Sequence, residues 1–327
     1  MNRVDGVKME PMLHIYNYAY REGEDALCAL EMRSLFGKDS QSSTLESNLK
    51  VDPSRSPFIR ERIDVIYEGY HLQDIIKQVQ DLPIIEETFK VIFIQNGNLA
   101  ESEKVDFEQR RTIEREIGLH IPGEPDLLNP ELLFGIVKIN GRWVFGNYHK
   151  NKAVWLHHQK KPHSYSTSLS TRVARSVANI AVPDPTGIKA IDPCCGIGTV
   201  LVEALSMGID IVGSDINPLV LPGARENIAH FGLVGEVTRK DIRSISSSYD
   251  VAIIDMPYNV FSVITSEEQL EMLESAWEFT DKLVIVTLEP IDSIIVKSGF
   301  EIVDRCVVKK GMFTRQVIVC EKAFGKN

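Results

Sequence analysis

Several things missing from this 327-residue chain narrow its function before any motif is read. No window reaches the roughly 18 apolar residues that a membrane span needs. The opening Met1-Asn2-Arg3-Val4-Asp5 has no apolar signal core, so a cytoplasmic protein is expected. Cysteine is scarce: Cys28, Cys194, Cys195, Cys306 and Cys320 are odd in number, scattered and in no metal-ligand spacing. That usage fits a reducing compartment, and neither a disulfide framework nor a metal site is expected. Positive surplus is also missing, since the net charge is −10, and this speaks mildly against a general nucleic-acid binder. The apolar share of 43% and charged share of 25% are those of an ordinary globular protein, and the length suggests two domains at about 150 residues each.

One absence points the other way. From Leu132 to Pro183 there is no Asp or Glu, while Lys138, Arg142, Lys150, Lys152, Lys160, Lys161, Arg172, Arg175 and four of the eight histidines fall there. Chance and a solvated face are the plain explanation. The functional one is a band facing a polyanion, with Lys150, Lys152, Lys160 and Lys161 as candidate RNA contacts. Within the band, His157 and His158 are adjacent, which rarely makes a metal site, so solvated or phosphate-facing roles are expected. Upstream, Asp52 to Phe58 (DPSRSPF) is either a rigid turn or a presenter of Arg55 and Arg60 to RNA.

Periodicity separates two textures. The first half reads as a small α+β domain, residues 1–150, after a loose tail over 1–11. It has strands over Leu13–Tyr20, Arg62–Tyr67 and Val91–Gln95, helices over Glu24–Phe36 and Phe107–Ile117, and a hairpin turning at Asn140-Gly141. The polar, serine-rich stretch from Asp39 to Asn48 reads as a loop. Over 151–327, apolar strands alternate with helices, from a helix over Ser168–Ile180 to a strand at Leu283–Leu288. Such alternation builds a parallel sheet covered on both faces. The last two strands, Glu301–Lys309 and Gln316–Glu321, look like a hairpin, so one antiparallel edge strand is expected.

Chemistry concentrates at strand ends, where ligands bind in such sheets. Asp192-Pro193-Cys194-Cys195-Gly196-Ile197-Gly198-Thr199 follows the strand Ile188–Ile191, and its glycines permit a tight turn and close approach to a ligand. Asp215 ends the next strand, where an acid can accept ribose hydroxyls. Asp241 ends the third, placed for an adenine amine, and Asp255 ends the fourth. A pyrophosphate cofactor suits a helix N-terminus, but Asp192 in front of this loop would repel it. The cationic sulfonium of S-adenosyl-L-methionine suits the acids better. Asp255-Met256-Pro257-Tyr258 is odd as pure structure, because proline removes a backbone donor and the ring has no core to join. It makes sense as a site, with Asp255 and the Met256 carbonyl accepting from a planar amine and Tyr258 offering a stacking surface. Cys194 and Cys195 invite a thiol-nucleophile reading, but their place inside the glycine loop makes packing the expected role.

On these residues the chain resembles the tRNA guanine N2-methyltransferases that modify guanosine near position ten, and the wider THUMP-containing RNA methylases. The resemblance rests on DPCCGIGT, SDIN around Asp215, RKDI around Asp241 and DMPY from Asp255, in that order, and covers about 165–325. It extends more faintly to Ile117-Gly118-Leu119 and to the stretch from Asn129-Pro130 to Phe145, like the closing part of a THUMP domain. It implies an α/β fold: a class I methyltransferase with a Rossmann-like, mostly parallel sheet, beside the smaller N-terminal domain. Asp192, Pro193, Cys194, Gly196, Gly198, Thr199, Asp215, Ile216, Asp241 and Ile242 would surround S-adenosyl-L-methionine. Asp255, Met256, Pro257 and Tyr258 would surround the amine of tRNA or another structured RNA. The family's tetrapeptide is usually Asp-Pro-Pro-Tyr; Met256 replaces the first proline, which keeps the carbonyl and implies a less rigid loop. A DNA or protein amide methylase shares the tetrapeptide, and a non-catalytic RNA-binding protein could keep the fold. An accessory subunit or a homodimer is left open.

Overall fold

The computed structural model of the chain describes residues 12–39, 43–95, 97, 105–165, 168–257, 264–310 and 313–323. It divides into two compact units: Met1–Ala19, Ser40–Ser54 and Phe58–Lys152 form one, and Tyr20–Asp39, Arg55–Pro57 and Ala153–Asn327 form the other. A single cut near residue 150 therefore misses an exchange of segments. The helix α1 (Asp25–Phe36) belongs to the second unit. It buries Leu27, Cys28, Leu30, Met32, Leu35 and Phe36 there, and its polar residues are satisfied there too. Arg33 forks onto Asp304 at 2.8 and 2.9 Å. The wholly buried Glu31 accepts from Asn179 at 2.5 Å and from Ser56 at 3.1 Å. Just before the helix, Glu24 accepts from Arg172 Nε at 3.0 Å and from its Nη2 at 2.7 Å.

The first unit is a sheet in the order β2-β1-β3-β6-β5-β4. Its strands are β1 (His14–Tyr18), β2 (Thr44–Ser47), β3 (Ile59–Gly69), β4 (Phe89–Ile94), β5 (Leu132–Ile139) and β6 (Arg142–Lys150). The helices α2 (Leu72–Gln78) and α3 (Phe107–Gly118) bury Ile75, Ile76 and Ile117 in a core with Phe89, Phe134 and Phe145. Neighbouring strands are antiparallel except β4 and β5, which run parallel. Strand β2 corrects the loop expected over Asp39–Asn48. An edge strand needs little apolar character, and Leu45 opposite Tyr16 supplies it. At the β5–β6 turn Asn140 and Gly141 both adopt positive φ, 49° and 76°, as a tight hairpin of matching twist requires.

The second unit carries the alternation read from sequence. Its strands are β7 (Lys189–Asp192), β8 (Asp210–Asp215), β9 (Val237–Arg239), β10 (Tyr249–Asp255), β11 (Thr280–Thr287), β12 (Phe300–Lys310) and β13 (Phe313–Lys322). Its helices, besides α1, are α4 (Trp155–His158), α5 (Thr171–Ala181), α6 (Thr199–Ser206), α7 (Leu221–His230), α8 (Ser266–Phe279) and α9 (Asp292–Lys297). The sheet order is β12-β13-β11-β10-β7-β8-β9. Strands β11, β10, β7, β8 and β9 are parallel, and β13 is antiparallel to both neighbours. The antiparallel strand thus lies one place in from the edge: β13 runs back between β12 and β11. Residues 251–254 and 283–286, nearly all aliphatic, are buried on both faces, as a central parallel strand demands. Among the described residues no helix is long and apolar enough to cross a membrane.

Candidate active site

The order β10-β7-β8-β9 sets side by side the four strands that end in the expected acids. Asp192 and Asp255 close β7 and β10, Asp215 closes β8, and Asp241 follows β9 by two residues. After β7 the chain turns through Gly196 and Gly198, both left-handed at φ 52° and 75°. A side chain at Gly198 would also press on Ala224 at 3.3 Å. The loop is pinned by the acids it serves. Asp192 Oδ1 accepts from the Cys194 amide at 3.2 Å, and Asp215 Oδ2 accepts from the Gly196 amide at 2.9 Å. The other Asp215 oxygen accepts from the Asn217 amide at 2.9 Å, so the turn-forming role coexists with an open edge toward the cavity. Asp241 caps the next turn and is gripped by the Arg243 guanidinium at 2.7 Å, which holds its carboxyl below the usual range.

Two adjoining cavities, of about 160 and about 960 Å³, share Tyr165, Cys194, Asp255 and Pro257. Asp192, Gly196, Thr199 and Met256 line the smaller; Pro193, Asp215, Ile216, Asp241 and Ile242 line the larger. Gly198 lines neither and serves the turn alone. Tyr258 lies outside the described residues. Sequence reasoning missed Tyr165, Ser168 and Leu169 on the small cavity and Glu268 and Met272 on the large one. The one aromatic in the serine-rich run from Ser164 to Ser170 was a usable signal for the first group. Nothing marked Glu268 and Met272, one turn apart on α8.

Buried carboxylates dominate the electrostatics. Burial pushes Asp192 well above the usual carboxylate range, and the charges of Asp255 and Asp215 add to it. Burial pushes Asp255 up to about 7 against the opposing pull of Arg315. The Cys194 and Cys195 thiols are also pushed up, by burial and then by Asp192, which suits packing and not nucleophilic attack. Asp255 Oδ1 and Thr199 Oγ1 are shut off from solvent with no hydrogen-bond partner among the described residues. Orphaned acceptors beside mutually repelling acids suit a cationic ligand that brings its own donors. S-adenosylmethionine fits this set: Asp192 and Asp255 would meet its positive end, Asp215 its ribose hydroxyls and Asp241 its adenine edge.

The sign of the pH effect follows. Without cofactor Asp255, raised by burial to about 7, is partly protonated near neutrality, and a bound cation favours its ionised form. Cofactor binding should therefore release protons around pH 7, and affinity should fall as pH drops below about 7. Calorimetry at pH 6.5 in two buffers of different ionisation enthalpy measures this directly. Proton uptake, or a pH-independent affinity, would remove Asp255 from the cofactor's surroundings.

Met256 is not a loose substitute for proline. Its amide donates to Val286 O at 2.8 Å, adding a rung between β10 and β11. Its side chain is 3% exposed, in a core with Ile254, Leu273 and Ile285. A proline would forfeit that bond, so the loop start is fixed here by pairing and burial.

The three arginines of the basic band are neutralised by acids from elsewhere in the sequence. Arg142 pairs with Glu46 and Glu68, Arg172 with Glu24, and Arg175 with Glu203. His158 is buried against Glu203 at 2.8 Å, contrary to the solvated role expected, while His157 is exposed. Arg55 also turns inward: Nε donates to Asn179 Oδ1 at 2.8 Å and Nη2 to the Val182 carbonyl, so it is part of the packing. Lys150, Lys152 and Lys160 are exposed; Lys161 is half-buried, and burial depresses its ammonium.

Acids at the ends of four adjacent strands around an open cavity, with a glycine turn at the first, define a class I methyltransferase dependent on S-adenosylmethionine. A family model described as "RMKL-like, methyltransferase domain" matches residues 158–282. The chain is 35% identical over 249 residues to a tRNA (guanine(10)-N2)-dimethyltransferase of Methanothermobacter thermautotrophicus, covering 69% of this chain and 68% of that one. It is 25% identical over 158 residues to the Pyrococcus abyssi protein of the same name, spanning 45% of this chain and 47% of that protein. Over 100 residues it is 33% identical to the mouse U6 snRNA (guanine-N(2))-methyltransferase THUMPD2, covering 28% of this chain and 19% of the relative. The chain belongs to the tRNA guanine N2-methyltransferase family.

Proposed function

We propose that the protein transfers a methyl group from S-adenosylmethionine to the exocyclic N2 of guanosine in tRNA, in the cytoplasm. The observation that carries this is Asp255. One of its carboxylate oxygens is sealed from solvent and without a partner among the described residues, on the wall shared by both cavities. An exocyclic guanine amine has its lone pair drawn into the ring and is a poor nucleophile. Asp255 and the Met256 carbonyl would accept its two hydrogens, turn the lone pair out of conjugation and aim it. Bound S-adenosylmethionine supplies the electrophilic methyl group on its sulfonium. Holding the reactants in line is worth up to about 7–11 kcal/mol in ideal cases. No strong base is needed, since the nitrogen becomes acidic only once methylated. A paired base must first leave its stack, at a few kcal/mol; Tyr258 would return about 1–3 kcal/mol by stacking.

The first unit supports an RNA partner. Its later part runs α2, β4, α3 and the β5–β6 hairpin, and we assign it a THUMP-like, RNA-holding role. Lys150, Lys152, Lys160 and Lys161 would meet phosphates. Removing the three exposed lysines should flatten the log–log salt dependence of tRNA affinity by about 0.7–0.9 per contact, with Lys161 adding least. Filter binding from low to high salt reads this, and an unchanged slope in the triple variant makes those lysines a solvated surface only.

The function is tested by incubating the purified chain with labelled S-adenosylmethionine and, separately, bulk tRNA, small nuclear RNA, DNA and protein. Digestion and mass spectrometry of the labelled product follow. N2-methylguanosine from tRNA is expected. Label in N6-methyladenine or in protein amides transfers the claim to the rival methylases, and label nowhere leaves a non-catalytic protein.

A further inference from the structure

Asn227 on α7 is wholly buried and lies outside both cavity linings. Its amide is nevertheless spent on two segments that build them. Nδ2 donates to His163 O at 3.0 Å and to Ile197 O at 2.9 Å, and Oδ1 accepts from the His163 amide at 2.9 Å. Ile197 stands between the two left-handed glycines of the cofactor loop. His163 begins the stretch that carries Tyr165 and Ser168 to the small cavity. That stretch closes on itself, with the Ser168 amide and hydroxyl both donating to Tyr165 O at 3.1 and 2.8 Å. Among its described residues the apolar anchorage is slight: Pro162, Ser164 and Tyr165 are exposed, and Leu169 is the deeply buried one.

We propose that Asn227 is a positioning residue that clasps the chain at His163 to the glycine loop, so that the part of the small cavity's wall given by Tyr165 and Ser168, for the amino-acid end of the cofactor, stands before the cofactor arrives. The proposal rests on the cofactor reading above. Physically, a segment with little burial is ordered by the polar bonds at its ends, and a preformed wall spares the ligand the cost of ordering it. The larger cavity, at Asp215 and Asp241, is lined by Tyr165 but by neither His163 nor Ser168.

The consequence is an asymmetry between ligands. S-adenosylmethionine and 5′-methylthioadenosine share the adenosine portion, but only the first has the amino-acid end. Asn227→Ala should weaken S-adenosylmethionine by about 10–100-fold, as for orphaned buried hydrogen-bonding groups, and methylthioadenosine by less than about 3-fold. General destabilisation would weaken both alike. Because Asn227→Ala risks misfolding, a second pair of variants isolates one bond at the surface. His163→Pro deletes the amide that Asn227 accepts from, whereas His163→Ala keeps it and loses only the ring, whose partner is the exposed Glu226. Calorimetry on both ligands should show the asymmetry for His163→Pro and near-wild-type binding for His163→Ala. Equal losses for the two ligands, or identical behaviour of the two His163 variants, overturn the clasp. A wild type that binds neither ligand overturns the cofactor reading, and the clasp with it.

Discussion

Asp255→Ala is expected to lose roughly 100-fold or more in single-turnover methylation, the scale of deleting one preorganised electrostatic partner, with tRNA affinity nearly unchanged. The separation follows from where each interaction resides. Phosphate contacts dominate RNA affinity and carry no chemistry, whereas Asp255 lines both cavities, where we propose the amine is held. Burial has raised this carboxyl to about 7 in the free protein, and the bound sulfonium favours its ionised form. The wild-type rate at saturating cofactor should therefore rise with pH through a value below about 7, because only the ionised form is a full acceptor. Asp255→Asn keeps the shape, cannot ionise, and should lose both the rate and that rise. The Ala variant tests the same point from the side of affinity: Kd for tRNA measured without cofactor should move less than about 3-fold. An Asp255→Ala protein that methylates at the wild-type rate means the amine is held by other groups, and the mechanism falls.

What could be read in the sequence was what depends on short windows. The period of the second half gave its parallel strands, because stretches such as 251–254 and 283–286 must be apolar on both faces when helices cover a sheet. Asp192 and Asp255 were legible as the first polar residues after such runs, and Asp215 and Asp241 from their places at the ends of the next two strands. What depends on distant partners was not legible. The stretch from Leu132 to Pro183 has no acid along the chain but plenty in space: Glu46 reaches Arg142 across 96 residues and Glu24 reaches Arg172 across 148. An acid-free window is therefore weak evidence for an RNA face. Helix α1 is a similar case. Its apolar residues sit on more than one side, which signals burial between layers, but nothing local tells which unit supplies them. At Met256 the comparison with proline leaves out the amide hydrogen, which proline lacks and which is donated here to Val286 O.

Arg175 is where that distinction is sharpest, and its loss is expected to be the most damaging to stability. The residue is 2% exposed and its ion-pair partner Glu203 is 0% exposed. Arg175 donates to Glu203 at 2.8 Å, to Ser206 at 3.0 Å and to the Arg55 carbonyl at 2.9 Å, and its guanidinium lies 5.7 Å from the Trp155 ring. Arg175→Met keeps length and apolar volume but strands Glu203, with His158 as its remaining partner at 2.8 Å. Breaking a buried pair from one side typically costs about 3–5 kcal/mol, which in a unit of this size lowers Tm by about 6–20 °C. Replacing both partners is different in kind: Arg175→Met with Glu203→Leu removes the uncompensated charge and should recover much of the loss, since apolar replacement of a buried pair is often neutral. Thermal melts of the two variants decide the matter together with tRNA salt titrations. The structure requires a large fall for the single variant, a partial return for the double, and a salt slope unchanged in both. A single variant that melts like wild type but binds tRNA with a shallower salt slope would return Arg175 to the phosphate-facing band, and the packing account of α5 and α6 would fail.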